Sequence, residues 1–392
     1  MVIPYTKHRA WAEIDLDAAE HNFNQVRSDT KSKICCVIKA NAYGHGAVEL
    51  AKLYQRLQAD YLAVSNIEEA LQLRKNGVDL PILILGYTPC ECAKLLGENN
   101  ITQCVFSYEY GMKLAENAKL EGVTVKIHIK IDTGMGRIGF IWRNNSDNEI
   151  DKAVTVCHAP GLDAEGIFMH FAVADEGIDG EAYTREQFGN FMHAIDIFEE
   201  HGIEFKIRHC ANSAAIFDYP EFHLDMVRAG VVLYGLKPSE KVTHLPNLKP
   251  VMRLRSVISH IKYIEQGYTI SYGRTYSAPC RRKIATVPIG YADGFRRMNG
   301  VKKYCLCISG KSASIVGRVC MDQLMIDVTD IDCALGDDVL VFGDVFPFTV
   351  DELAKINETI NYEIVCDVGE RVPRAYIKDG KITGWKDGIF EE

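Results

Sequence analysis

The chain has no excess of positive charge. Its 44 Lys and Arg stand against 53 Asp and Glu, a formal net charge of −9, which excludes the basic footprint that nucleic-acid binding needs and gives no attraction to anionic lipid. It also has no apolar run of about 18 residues, so no membrane-spanning helix is expected. Met1 to Trp11 lacks the apolar core of a signal peptide, and a cytoplasmic location is the resulting expectation. Metal-ligand spacing is missing as well: Cys90 and Cys92 lie one residue apart, too close for the usual zinc knuckle, with no matching Cys/His pair after them. The 13 cysteines are odd in number and scattered. Many fall inside apolar runs (Cys35, Cys36, Cys104, Cys157, Cys305, Cys307), which suits reduced thiols used as small core residues.

What is present is ordinary globular composition, 47% apolar and 25% charged, in 392 residues, enough for two domains and a large core. The first two-thirds alternates strand-like and helix-like segments. Strands are expected at Trp11 to Leu16, Ile34 to Lys39, Tyr61 to Val64, Pro81 to Leu85, Gln103 to Phe106, Val125 to Ile131, Ala164 to His170, Ile207 to Cys210 and Met226 to Tyr234. Helical spacing fills most gaps, as at Ile67 to Asn76 with Gly77 as its stop, and at a helix that Ser146 and Glu149 would open as a capping box. Repeated βα units argue for a (β/α)8 TIM-type barrel over residues 1–240, whose chemistry sits at the C-terminal strand ends. Pro238 to Pro250 reads as a linker. Beyond it, short β-rich pieces separated by Gly and Asp turns predict a smaller all-β domain over 241–392, so the fold class is α/β plus all-β.

One stretch organises the chemistry. Ile34-Cys35-Cys36-Val37-Ile38 reads as a buried strand closed by Lys39, followed by the turn Ala40 to Gly46 and a helix from Ala47. A lysine at a barrel strand end loses solvation, which lowers its pKa and prepares its amine for attack on a carbonyl. Gly134 to Gly139 matches a dinucleotide-binding pattern, but Phe140-Ile141-Trp142 continues the apolar run where that fold needs a helix. Its functional content is read instead as Arg137 backed by Lys130. Later strand ends add His170, Asn212, Ser213 and Arg228, and Ser213 with the backbone of Gly230 and Val231 supplies phosphate donors at a place where such barrels often hold one.

Val37-Ile-Lys-Ala-Asn-Ala-Tyr-Gly-His-Gly46 closely resembles the pyridoxal-phosphate attachment segment of the alanine racemases, and the resemblance runs along nearly the whole chain. It implies pyridoxal 5′-phosphate on Lys39, with Tyr43, Ser213 and Gly230 at the phosphate and Arg228 at the ring nitrogen. An arginine cannot accept the proton that a carboxylate would share with that nitrogen, which favours racemisation over transamination. The resemblance further implies Tyr272 as the base opposite Lys39, brought to the barrel mouth by the partner subunit of a homodimer. Arg137 would anchor the substrate carboxylate, held by Lys130, which is carbamylated in many members. Met321, Asp322 and Tyr291 match further substrate contacts. The implied reaction interconverts L- and D-alanine, which supplies D-alanine for peptidoglycan.

One position departs from the pattern. Where the family usually has a tyrosine before Arg-Val-Pro-Arg, this chain has Glu370. Two accounts are open: a salt bridge to Arg371 or Arg374, or room and an acceptor for a substrate hydroxyl, which would make serine the alternative substrate. A barrel-type decarboxylase lacks support, since neither a Gly-Gly-Gly phosphate loop nor an acidic partner for the ring nitrogen is found. A cofactor-binding barrel without turnover would have no need of Tyr272 and Met321-Asp322.

Overall fold

The computed structural model describes residues 8–143 and 149–388. Eight parallel strands follow one another around a barrel: Lys33–Val37, Tyr61–Val64, Ile82–Ile84, Ile101–Val105, Val125–Asp132, Leu162–Phe168, Ile207–His209 and Met226–Ala229, the last pairing back onto the first. The remaining seam is closed by two backbone hydrogen bonds, Asp225 N to Arg208 O (3.1 Å) and Arg228 N to Ala211 O (3.0 Å). Helices cover the outside, and the strands Tyr61–Val64, Ile82–Ile84 and Ile101–Val105 are buried throughout.

The second domain is mostly sheet. Seven strands run in the order Lys311–Ser314, Cys305–Ile308, Asp338–Phe342, Met252–Val257, Ala10–Asp15, Arg374–Lys378, Lys381–Lys386. A three-stranded sheet, His260–Ile264 with Arg282–Val287 and Leu324–Asp327, and a small pair, Thr269–Ile270 with Tyr276–Ser277, complete it. No described helix is long and apolar enough to cross a membrane.

The expected strand at Trp11 to Leu16 forms at Ala10–Asp15, but not in the barrel. It lies at the centre of the C-terminal sheet, antiparallel to Met252–Val257 and parallel to Arg374–Lys378. The reason is visible in its alternation: Ala12 and Ile14 are fully buried, whereas Glu13 pairs with Arg255 at 2.9 Å on the other face. A barrel strand would be apolar on both sides. Two further expectations are shortened. Met226 to Tyr234 is a strand only to Ala229 and then a 3-10 turn, Val231–Tyr234. The helix expected from Ser146 runs Glu149–Cys157, and the proposed cap at Ser146 lies outside the described residues.

Candidate active site

The C-terminal mouth of the barrel holds a cavity of about 550 Å³. Ten of the residues singled out from the sequence line it: Lys39, Tyr43, Lys130, Arg137, His170, Asn212, Ser213, Arg228, Gly230 and Val231. They come from separate strand ends, as barrel chemistry requires.

Lys39 follows the strand Lys33–Val37 and opens an unusual turn. Ala40, Asn41, Ala42 and Tyr43 all have positive φ, between 52° and 54°. Left-handed backbone costs an L-residue about 1–2 kcal/mol, so four in succession must be held by their surroundings. The carboxylate of Glu69 accepts from Ala40 N (2.6 Å) and Ser65 N (2.7 Å), and Asn41 Oδ1 accepts from Ala47 N (2.9 Å). His45 Nδ1 lies 3.0 Å from Ala42 O and 2.9 Å from Tyr43 O, which assigns its proton to that nitrogen. Burial pushes His45 down to about 4, so the ring is neutral. From the second domain, Arg374 donates to Gly44 O from Nε (3.0 Å) and Nη2 (2.9 Å). Lys39 itself has no ion-pair partner among the described residues; burial lowers its pKa and Arg137 lowers it further.

Three more cations share the cavity wall. Lys130 is buried against the Phe168 ring, donates to Ile131 O at 2.9 Å, and is pushed by burial down to about 7. Arg228 is buried too, and desolvation lowers it to about 10. Its Nη1 donates to His209 Nδ1 (3.0 Å) and His209 O (3.1 Å), and its Nη2 to Met169 O (2.8 Å), Cys210 O (3.0 Å) and His170 Nδ1 (3.2 Å). No bond among the described residues uses Nε, so one donor of a cavity-lining arginine is left over. His170 is held well below its usual pKa, chiefly by burial and then by Arg228, and is neutral.

Opposite lies an anion cradle. Gly230 N donates to Ser213 Oγ at 2.9 Å, and a Cβ at residue 230 would stand 3.1 Å from Tyr43 OH and 3.5 Å from Ser213 Oγ. A side chain here would fill the space between the two hydroxyls. Asn212 lines the cavity but spends its Oδ1 on capping the next helix, accepting from Ala215 N (3.0 Å). A cavity with two hydroxyls and a glycine at one end, a spare Arg228 N–H and an unpaired Lys39 matches the phosphate, ring nitrogen and aldehyde of pyridoxal phosphate.

The second-domain residues are elsewhere. Tyr272, Met321 and Tyr291 are 67%, 53% and 42% exposed, and neither they nor Asp322 line the cavity of their own chain. They nevertheless form one patch: Ser271 Oγ donates to Arg318 O, Tyr291 N to Cys320 O and Ala292 N to Met321 O. The Gly134–Gly139 stretch opens no helix; Phe140–Ile141 adds a short parallel strand, and Asp132 Oδ1 accepts from Gly134 N and Gly136 N to shape the loop carrying Arg137.

Glu370 lies outside the barrel-mouth cavity of its own chain. It lines a separate cavity of about 240 Å³ with Glu69, Gln72 and Arg374, behind the Lys39 turn. Neither arginine pairs with it: Arg371 donates to Asp322 (2.8 Å), and Arg374 spends its donors on the carbonyls of Gly44, Val368, Gly369 and Val372. Sequence reasoning missed Tyr362, from the short C-terminal helix Asn361–Cys366, which lines the cavity with its ring 5.9 Å from that of Tyr43. It also missed Asp175, on the loop after Leu162–Phe168.

Comparison with known proteins identifies the family. Residues 14–238 match the alanine racemase N-terminal domain and residues 251–376 the C-terminal domain. The alanine racemase of Clostridium tetani is 45% identical over 97% of this chain and 98% of its own length. That of Desulfovibrio desulfuricans is 47% identical over 94% and 98%. A solved alanine racemase of Clostridium difficile superposes with a TM-score of 0.93 at 42% identity, covering 98% of this chain and all of that one. The Bacillus anthracis enzyme with bound L-Ala-P superposes at 0.92 and 35% identity, covering 99% of each chain. The chain belongs to the alanine racemase family.

Proposed function

We propose that the protein interconverts L- and D-alanine with pyridoxal 5′-phosphate, as a homodimer whose sites are each shared by two subunits. The observation that carries this reading is the cavity at the barrel mouth, where a lysine of lowered pKa, a hydroxyl-lined cradle and an arginine with a spare donor meet. Lys39 would hold the cofactor covalently through its amine, Tyr43, Ser213, Gly230 and Val231 its phosphate, and Arg228 its ring nitrogen. When bound, the cofactor supplies an electron sink that acidifies the α-carbon of an attached amino acid. Arg228 keeps that sink weak, because a guanidinium can donate a hydrogen bond to the ring nitrogen but gives up no proton to it. Arg137 binds the substrate carboxylate, with Lys130 behind it; an uncharged Lys130 amine is the form that carbon dioxide carbamylates, which would turn a cation into an anion beside Arg137. Lys39 moves the proton on one face of the α-carbon. On the other face the proton falls to Tyr272 of the partner subunit, with Met321, Asp322 and Tyr291 around it, because this patch is exposed on its own chain.

Alanine is the proposed substrate because the matched relatives are alanine racemases, and serine is the alternative. A cytoplasmic enzyme making D-alanine for peptidoglycan is the setting that fits this reaction. The test is chiral analysis after purified protein and cofactor are incubated separately with L-alanine, D-alanine and L-serine. D-alanine is expected from L-alanine and L-alanine from D-alanine, with little D-serine from L-serine. Release of carbon dioxide and amine, or turnover of serine alone, would overturn the reading.

A further inference from the structure

The barrel floor beneath Arg228 is not the apolar packing usual for such barrels. Two fully buried histidines stand in line below it: His209 Nε2 lies 2.9 Å from His128 Nδ1, and His128 Nε2 lies 3.5 Å from Glu165 Oε2. The carboxylate of Glu165 also accepts from Tyr61 OH at 2.7 Å and stands 3.4 Å from Lys126 Nζ. The Tyr61 hydroxyl meets Thr102 Oγ1 at 2.8 Å. The 3.5 Å contact is the loosest link and leaves His128 Nε2 with no closer partner among the described residues.

Two features of the backbone serve this line. The pairing of Val125–Asp132 with Leu162–Phe168 slips between Ile127, opposite Ala164, and His128, opposite Gly166, so Glu165 is the extra residue of a bulge. Bulges re-aim side chains, and here the carboxylate is brought to His128. Gly166 then makes room for the imidazole, since a Cβ at that position would lie 2.7 Å from His128 Nε2.

The ends of the line are chemically one-way. Arg228 can only donate and an ionised Glu165 can only accept. His209 Nδ1, facing Arg228, must therefore be bare, its proton must sit on Nε2, and His128 must carry its proton on Nε2, toward Glu165. Both rings are neutral because burial lowers their pKa, and Glu165 is held down at about 2, first by its contact with His128. If the line ran the other way, His209 would aim an N–H at an Arg228 N–H.

From this geometry we infer that Glu165 and His128 are positioning residues: they hold His209 in the tautomer whose bare Nδ1 accepts from Arg228, and through that contact they hold the orientation of the Arg228 guanidinium. Two buried imidazoles thus carry an anion's preference for accepting hydrogen bonds across the barrel to a cation at the cavity floor. The kinetic consequence rests on the proposed place of Arg228 at the cofactor's ring nitrogen; the tautomers do not.

The test uses histidine-labelled full-length protein without cofactor, read by nitrogen-15 NMR, and the same preparations loaded with pyridoxal phosphate for kinetics. Glu165→Gln keeps the shape but can donate as well as accept. Wild type should show His209 and His128 as single Nε2–H tautomers, and Glu165→Gln a mixture at both. In the loaded variant kcat should fall about tenfold with KM within twofold, and the absorbance of the bound cofactor should titrate at a shifted pH. Glu165→Asp, again acceptor-only, should restore the single tautomers. Where Glu165→Gln does not fold, His128→Gln must give the mixture at His209. Unmixed tautomers in the Gln variants, or an Asp variant that behaves like Gln, would overturn the inference. An altered kcat is not needed for the tautomer result, so a failure of the racemase reading remains distinguishable.

Discussion

Arg228 has both terminal nitrogens committed to protein acceptors, while Tyr272 is 67% exposed on its own chain. The same contrast separates the two regions they belong to. At the barrel mouth four cations converge on one cavity, and their environment is supplied by the chain itself: burial lowers Lys39, Lys130 and Arg228, and a clamped left-handed turn aims the lysine. The second-domain patch holds Tyr272, Tyr291, Met321 and Asp322 in one place by backbone bonds but leaves them facing outward. A preorganised half needs no second chain to form its cavity, whereas an outward half acquires its environment only from another surface.

The largest expected effect falls on the buried half. Lys39→Ala should lower racemisation by about 10⁴-fold or more, because covalent attachment and one base are lost together, and should abolish borohydride-reducible cofactor. Retention of a reducible adduct would move the attachment point. Tyr272→Phe should cost about 10²–10³-fold in turnover while cofactor loading stays at the wild-type level, since the residue lies outside the cavity. Solvent-deuterium exchange should be lost from L-alanine and survive from D-alanine. Mixing the two inactive variants under subunit exchange sharpens the contrast: about a quarter of wild-type activity should return, as half the dimers are mixed and each mixed dimer has one intact site. No recovery would mean that both halves act within one chain.

A smaller effect separates the halves by charge. Unfolded lysine titrates near 10.4 and buried Lys130 at about 7, so between those pH values the unfolded chain holds the extra proton. Stability of the cofactor-free protein therefore rises with pH across that window, by at most about 1.4 kcal/mol per pH unit from this group. In buffer free of carbon dioxide the rise should be steeper for wild type than for Lys130→Met, by thermal unfolding, and parallel curves would remove Lys130 from the account. The smallest effect is expected at Glu370, which belongs to neither half. Glu370→Tyr should leave the ratio of kcat/KM for alanine and serine within about twofold, below the discrimination that even one pocket methylene supplies.

The buried half was the more legible from sequence. Lys39, His170, Ser213 and Arg228 each follow an apolar run, and a barrel gathers strand ends whatever their separation in the chain. The left-handed turn was not legible, because Ala40, Ala42 and Tyr43 are not residues that favour positive φ; the conformation is imposed by Glu69, His45 and Arg374. Tyr362 carries no spacing signal, since its short helix reaches the cavity only through the docking of the second domain. The His128–Glu165 line was hidden because the slip of register at Glu165 leaves no mark in the residue pattern of Leu162–Phe168. Glu370 stood out in the sequence for its place in a motif, and where it lies on its own chain, in a cavity with Glu69 and Arg374, has no signal in that motif.

The strand Ala10–Asp15 carries a consequence for biosynthesis. Residue 13 is paired with residue 375, and residue 12 with residue 254, so a segment made before the barrel waits for strands made after it. A nascent chain that has emitted only the barrel holds this strand with both edges bare, a template for pairing with other chains. Pairings this distant in sequence also form slowly. Arg374, which clamps the Lys39 turn, arrives on the neighbouring strand with that second domain, so the lysine is set in place only after the barrel itself has been made.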